Sequence, residues 1–178
     1  MNTDINLSEA RVYVGTYHKY NCGSIEGAWM QLSDYNDIDE FYLACSRLHK
    51  DEDDPEYMFQ DYENIPEGLV DESGMNEKFF LFRDAVQDLD NERFTAFLIW
   101  CDNHHKNLYR EDVDDLLSDF DNDYIGKYES EEDYARQYIE DTESNLSDFA
   151  REYFDYEAYA RDLFSGDHWC TDGYVFRG

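Results

Sequence analysis

Residues 11–17 have the sequence RVYVGTY, in which β-branched and aromatic residues alternate with others, a pattern typical of a β-strand. A glycine-containing turn at 21–23 follows, and residues 25–32 predict a second strand. The stretch 56–62 predicts a third strand. These segments favour a three-stranded antiparallel sheet near the N-terminus.

A helix is predicted between the second and third strands. Asn36 or Asp37 supplies the N-cap, and apolar residues then recur at helical spacing. These apolar positions are Ile38, Phe41, Tyr42, Cys45 and Leu48. Sheet and helix together predict an N-terminal α+β domain over residues 1–65.

The middle of the chain predicts helices. Apolar stripes run along 76–89 and 91–104, and the short break between these segments favours an antiparallel helix pair. We therefore expect a central helical domain over residues 66–108.

The last third predicts an acidic domain, residues 109–178, that is mostly helical with short strands. A helix is expected at 110–120, a turn or short strand at 124–128, and a further helix from the Ser130 capping box to about residue 141. Two short helical patterns lie between 146 and 163, and a hairpin at 168–177 turns at Asp172-Gly173. The expected fold class is α+β, with three small domains along the chain.

The composition is strongly acidic but rich in aromatic residues. The 178 residues carry 44 Asp and Glu against 14 Lys and Arg, a formal charge of −30. Such a charge excludes an ordinary nucleic-acid binder, because few cations are available to neutralise phosphates, and it disfavours docking on anionic lipid. Sixteen Tyr, twelve Phe and three Trp argue against disorder, because buried aromatics supply a core.

Other features of the sequence favour the cytoplasm. No apolar run is long enough to cross a membrane, and residues 1–10 do not resemble a secretory signal. The four cysteines are widely spread, which fits a reducing compartment.

Metal and enzyme motifs are weak. Asp119, Asp121 and Asp123 match positions 1, 3 and 5 of an EF-hand loop over 119–130, but Tyr124 replaces the required glycine and Ser130 the final glutamate. Cysteines and histidines near 101–105 and 168–170 have loose spacing for zinc. We find no nucleotide-binding or hydrolase motif, and we expect no catalytic residue, cofactor or metal.

The charge itself suggests a function. Duplex DNA carries about one negative charge per 1.7 Å, so 44 carboxylates equal the charge of roughly 75 Å of duplex. A rigid acidic protein of this kind can occupy the basic groove of a DNA-binding enzyme. Composition alone leaves three alternatives open: halophilic solubility, an acidic enzyme, and an acidic adaptor for another basic DNA-binding protein.

Blocks of sequence along nearly the whole chain resemble the ArdA-type antirestriction proteins of bacterial mobile elements and phage. The opening resembles the family at 11–17, Tyr20 to Gly23 and Gly27 to Trp29, and Asp61-Tyr62-Glu63 follows. The stretch from Leu116 to Ser130 is similar to the antirestriction motif, with Lys127 as a departure inside it. Residues 154–163 and 175–177 are similar to the C-terminal blocks.

The resemblance implies an elongated chain of three small domains that forms a homodimer in the cytoplasm of a bacterial host cell. It implies a DNA mimic that inhibits type I restriction–modification enzymes at the DNA-binding methyltransferase core. It implies no bound nucleic acid and no membrane. The expected phosphate surrogates are the carboxylates of residues 112–133: Asp112, Asp114, Asp115, Asp119, Asp121, Asp123, Glu129, Glu131, Glu132 and Asp133. The expected motif scaffold or dimer seam comprises Leu116, Leu117, Phe120, Tyr124, Gly126 and Tyr128.

Overall fold

A computed structural model describes residues 5–143 and 147–178, so Leu146 of the first short helical pattern lies outside the described residues. The chain divides into two compact units, Met1–Leu117 and Ser118–Gly178. The boundary falls within one helix. Both units combine helices with antiparallel sheets, which confirms the predicted α+β class. The division into three domains stays a prediction.

The first unit contains a three-stranded sheet, a two-stranded hairpin and helices. Its elements are β1 (Arg11–Thr16), α1 (Tyr17–Asn21), β2 (Ala28–Gln31), α2 (Ile38–Leu48), β3 (Tyr57–Glu63), β4 (Val70–Asp71), β5 (Gly74–Met75), α3 (Lys78–Val86), α4 (Asn91–Asn103) and the start of α5 (Val113–Asp123). Single 3₁₀ turns occur at Leu7–Glu9 and Leu32–Asp34.

The predicted N-terminal sheet is confirmed, with strand order β2-β1-β3 and antiparallel pairing throughout. Alternate residues of β1, Val12 and Val14, are fully buried. Asp37 caps α2 by accepting a hydrogen bond from the Glu40 backbone at 2.8 Å, as the sequence predicts. The Phe41 ring of α2 meets the Phe59 ring of β3 edge-on at 5.8 Å, which joins helix and sheet in one core.

The two central helices pack through aromatic side chains. Phe82 of α3 lies 6.4 Å from both Phe94 and Phe97 of α4, measured between ring centroids. Asp90 caps α4 through a 2.8 Å hydrogen bond from the Arg93 backbone. Both predicted helices are therefore present, although α3 is shorter than the predicted 76–89.

Three local expectations need correction. The turn expected at 21–23 is preceded by the short helix α1, which Thr16 caps through the Lys19 backbone at 3.2 Å. The hairpin of β4 and β5 was not predicted, because two-residue strands carry too little pattern. Helix α5 begins and ends three residues later than the predicted 110–120.

The second unit contains the end of α5, a small sheet and three further helices. Its elements are β6 (Tyr124–Lys127), α6 (Glu131–Thr142), α7 (Asp148–Glu152), α8 (Tyr156–Phe164), β7 (His168–Thr171) and β8 (Tyr174–Arg177). The strand order is β6-β8-β7, all antiparallel. Helices α6 and α8 pack against each other.

The predicted C-terminal hairpin is confirmed. Asp172 and Gly173, between β7 and β8, both have positive φ, at 52° and 83°, which suits a two-residue turn. A Cβ at position 173 would lie 2.6 Å from the Tyr128 carbonyl oxygen, so only glycine fits here. Among the described residues, we find no helix whose length and apolarity would let it span a membrane.

Candidate functional site

The carboxylate of Asp112 caps α5. Its Oδ1 accepts hydrogen bonds from the backbone amides of Asp114 at 3.0 Å and Asp115 at 3.4 Å. These amides are unsatisfied at a helix start, so an aspartate stabilises the terminus. Asp114 and Asp115 add negative charge in the first turn, which the helix dipole favours.

Helix α5 separates apolar from acidic residues. Leu116 and Phe120 are 2% and 0% exposed, whereas Asp112, Asp115 and Asp119 are exposed. These three aspartates span seven residues, about 10.5 Å along a helix, or one charge per roughly 5 Å. This spacing is of the same order as the phosphate rise of about 3.4 Å along one DNA strand.

The C-terminal turn of α5 is also acidic. It contains Asp121 and Asp123 and no basic residue. A carboxylate at a helix C-terminus opposes the helix dipole, at a cost of about 0.3–1 kcal/mol each. The helix dipole therefore does not favour acidic residues at these positions.

The calcium loop considered for residues 119–130 is wrong. Asp119, Asp121 and Asp123 belong to α5, and β6 and the start of α6 occupy the following positions. Side chains two residues apart on a helix point in nearly opposite directions. Asp121 therefore cannot bind the same calcium ion as Asp119 and Asp123. Across residues 5–143 and 147–178, no three His, Cys, Asp or Glu side chains are placed to hold a metal ion.

Aromatic contacts fix the strand that follows α5. The Tyr124 ring stacks on Phe120 at 5.1 Å and contacts Phe176 of β8 at 5.6 Å. Pairing of β6 with β8 shifts register between Tyr124 and Gly126. A Cβ at Gly126 would lie 3.3 Å from the Tyr128 ring, closer than side chains usually approach.

The predicted scaffold residues differ in burial. Leu116 and Phe120 are buried within the single chain, so as placed they offer no surface to a second copy. The other four are half-buried: Leu117, Tyr124, Gly126 and Tyr128. Whether any of these four forms a dimer seam stays a prediction.

The start of α6 presents a second group of carboxylates. Ser130 caps the helix, accepting from the Asp133 backbone at 3.1 Å and donating its hydroxyl to Asp133 Oδ2 at 2.6 Å. Ser130 is therefore confirmed as the N-cap of α6, and Asp133 accepts from the Ser130 hydroxyl where the predicted capping box would use the Ser130 backbone amide. Glu131, Glu132 and Asp133 in the first turn are exposed. Glu132 pairs with Arg136 at 2.9 Å on the same helix.

Nine of the ten predicted phosphate surrogates are exposed, and Asp123 is half-buried. Asp112, Asp114 and Asp115 belong to the first unit. The remaining seven belong to the second unit. Each unit therefore contributes carboxylates to solvent within this stretch.

The basic side chains show a feature that the sequence analysis missed. Among the residues that the structure describes, several basic side chains place their charge over an aromatic ring, 4.1 to 5.5 Å from its centroid. They include Arg11, Arg83, Lys106, Arg110, Lys127 and Arg136. Lys127 lies over Tyr174 and donates to its hydroxyl at 3.3 Å. The rings beneath Arg11, Lys127 and Arg136 belong to residues far away in the sequence, so no local pattern predicts these three contacts.

Fold and surface together define an acidic α+β protein whose candidate site is a set of exposed carboxylates on α5 and at the start of α6. The family model described as antirestriction protein (ArdA) matches residues 12–176. The chain belongs to this antirestriction family. A comparison with curated proteins gives no match.

Proposed function

We propose that the chain is a DNA mimic that inhibits type I restriction–modification enzymes by occupying the DNA-binding groove of the methyltransferase core. The observation that carries this proposal is the exposure of carboxylates along residues 112–133 in an antirestriction protein of formal charge −30. Groups that hold phosphate in the enzyme would hold these carboxylates instead. Inhibition would then need no chemical step and no catalytic residue.

The distribution of charge favours this function over general solubility in salt. Residues 111–178 contain 21 acids and 5 bases, so this part of the chain holds more than half of the net charge. Solubility alone requires no such concentration.

The two cations within residues 124–142 differ in how far they are offset. Arg136 pairs with the Glu132 carboxylate at 2.9 Å, so its charge is partly compensated. Lys127 lies over the Tyr174 ring but remains exposed and keeps its charge, so the basic groove of an enzyme would repel it.

The proposal includes the biological setting that the family resemblance implies. The protein would act as a homodimer in the cytoplasm of a bacterial cell. A mobile element would encode it, and the protein would protect that element from the restriction enzyme of the cell. Its partner would be the restriction enzyme, with no bound nucleic acid.

The test is displacement of a fluorescently labelled duplex from a purified type I methyltransferase core, followed by anisotropy. We expect full displacement, with an apparent inhibition constant that rises linearly with duplex concentration. Binding to the core without displacement would contradict the proposal. Equal displacement of duplex from unrelated DNA-binding enzymes would instead support the alternative function, an acidic adaptor for basic proteins.

A further inference from the structure

A cavity of about 530 Å³ lies within the second unit, lined by side chains from α6 and from the segment around β7. We call it the tyrosine pocket. Its principal lining residues are Tyr128, Tyr134, Tyr138, Asp141, Asp167 and His168. This volume is within the range of sites that bind small ligands or single side chains.

The aromatic rings of the tyrosine pocket stand at steep angles to one another. Tyr128 and Tyr134 have ring centroids 5.0 Å apart and planes inclined by 67°. Tyr138 and His168 are 6.0 Å apart and inclined by 78°. These are edge-to-face contacts between the rings, and the tyrosine rings that line the pocket carry the π-systems to which cations are attracted.

The charges around the tyrosine pocket favour a cation over an anion. Asp141 and Asp167 line it, opposed by one cation, Arg177. Burial raises the pKa of Tyr128, and the negative charge of Asp141 raises it further. The net charge of the whole chain, −30, adds to the attraction.

His168 contributes its ring to the wall of the tyrosine pocket. Its Nε2 lies 2.9 Å from the Tyr134 hydroxyl. Its Nδ1 is buried and has no hydrogen-bond partner among the described residues, so as placed it is not open to a ligand. Burial lowers the pKa of His168, which disfavours a positive charge on the ring and with it the repulsion of a bound cation.

We propose that the tyrosine pocket binds one arginine side chain of the enzyme that the chain inhibits. The assignment of that arginine to the enzyme rests on the proposed function. A guanidinium group is planar, so it stacks on a tyrosine ring, and its N–H donors can bind a carboxylate such as that of Asp141 or Asp167. A lysine ammonium lacks the flat face, which is why we assign the pocket to arginine.

The test uses the full chain and a small probe, N-acetyl-arginine amide, followed by NMR of the tyrosine and histidine ring resonances. We expect saturable shifts at Tyr138 and His168. Tyr138→Phe should keep the affinity because the ring remains, whereas Tyr138→Leu should lower it about fivefold. Asp141→Asn, at an exposed position, should lower it about threefold without unfolding risk.

A matched control is Tyr153→Leu, since Tyr153 is 71% exposed and does not line the pocket. This variant should bind the probe like the parent. Absence of saturable shifts, or unchanged affinity in Tyr138→Leu with intact secondary structure, would overturn the proposal. Equal affinity for the corresponding lysine amide, or preferential binding of inorganic phosphate near Arg177, would also overturn it.

The outcome is separable from that of the proposed function. If the arginine probe binds but the chain does not displace DNA from the methyltransferase core, the proposed function fails, and with it the assignment of the arginine to the enzyme. If the chain displaces DNA but the probe does not bind, only the pocket assignment fails.

Discussion

At the scale of single residues, the proposed function depends on the sign of each charge more than on the shape of its side chain. Exposed ion pairs contribute only about 0–1 kcal/mol each, so no single carboxylate should dominate binding. A charge of the opposite sign in the same stretch should have the opposite effect. Glu131 and Lys127, both exposed, provide this contrast.

We predict that Glu131→Gln weakens inhibition and Lys127→Gln strengthens it, each by a factor of about two to five. The first change removes a phosphate surrogate, and the second removes a cation that the basic groove would repel. Inhibition constants in a restriction assay at low salt provide the measurement. Weaker inhibition by both variants would indicate that the shape of these side chains, rather than their charge, determines inhibition.

Asp112 has two separable roles, as a helix cap and as a charge. Asp112→Ala should lower the free energy of unfolding by about 1 kcal/mol and also weaken inhibition, because both roles are lost. Asp112→Asn should lose less stability than the alanine variant, since asparagine caps helices about as well as aspartate, yet it should weaken inhibition to a similar degree. Urea unfolding and the restriction assay measure the two effects. Full inhibition by Asp112→Asn would show that Asp112 is not one of the phosphate surrogates.

His168 should make stability depend on pH. Burial lowers its pKa in the folded chain below the ordinary value of 6.5, so the unfolded chain binds the proton more readily. Stability contributed by the neutral ring is therefore complete above about pH 7 and declines as the pH falls through 6.5. We expect the thermal midpoint to drop between about pH 7.5 and 5.5, and less so in His168→Gln. An equal drop in both proteins would assign the effect to other groups.

At the scale of elements, Phe120 joins α5 to the strand that follows. We predict that Phe120→Ala destabilises the second unit by about 3–5 kcal/mol, because it removes a fully buried ring that stacks on Tyr124. Phe149→Ala is the matched control: Phe149 is 71% exposed, and the same change should cost under about 1 kcal/mol. Similar losses in both variants, measured by urea unfolding, would contradict the packing described for α5.

Elements with strong local signals were predictable from the sequence. Asp37 and Ser130 cap the expected helices, and Asp172-Gly173 forms the expected turn, because each relies on contacts within a few residues. Helix α1 and the β4–β5 hairpin were missed, since five- and two-residue elements owe their form to the surrounding structure. The aspartates at 119–123 suggested a loop, yet buried Phe120 keeps them helical.

The candidate site was predictable only in part. Exposure of the carboxylates follows from helical periodicity, because the apolar positions 116 and 120 define the buried face of α5. The tyrosine pocket could not be predicted, since it brings together Tyr134 of α6 and His168 of β7, which are 34 residues apart. The cations over rings likewise depend on tertiary contacts such as that of Lys127 with Tyr174.

At the scale of the whole molecule, a formal charge of −30 opposes folding through repulsion between carboxylates. Salt screens this repulsion, so we predict that the thermal midpoint rises as sodium chloride increases from about 20 to 200 mM. Under the same conditions, inhibition should weaken. A rising thermal midpoint together with weaker inhibition would show that the acidic residues contribute to binding and not to stability. A midpoint that falls with salt would contradict the prediction.

The most direct test of phosphate mimicry is the salt dependence of the affinity of this chain for a type I methyltransferase core, measured beside that of a duplex. We predict that the logarithm of the association constant falls linearly with the logarithm of salt concentration for both ligands, with a loss of at least about tenfold between about 50 and 200 mM. An affinity for the chain that does not change over this range, while duplex affinity falls, would contradict the claim that its carboxylates replace DNA phosphates.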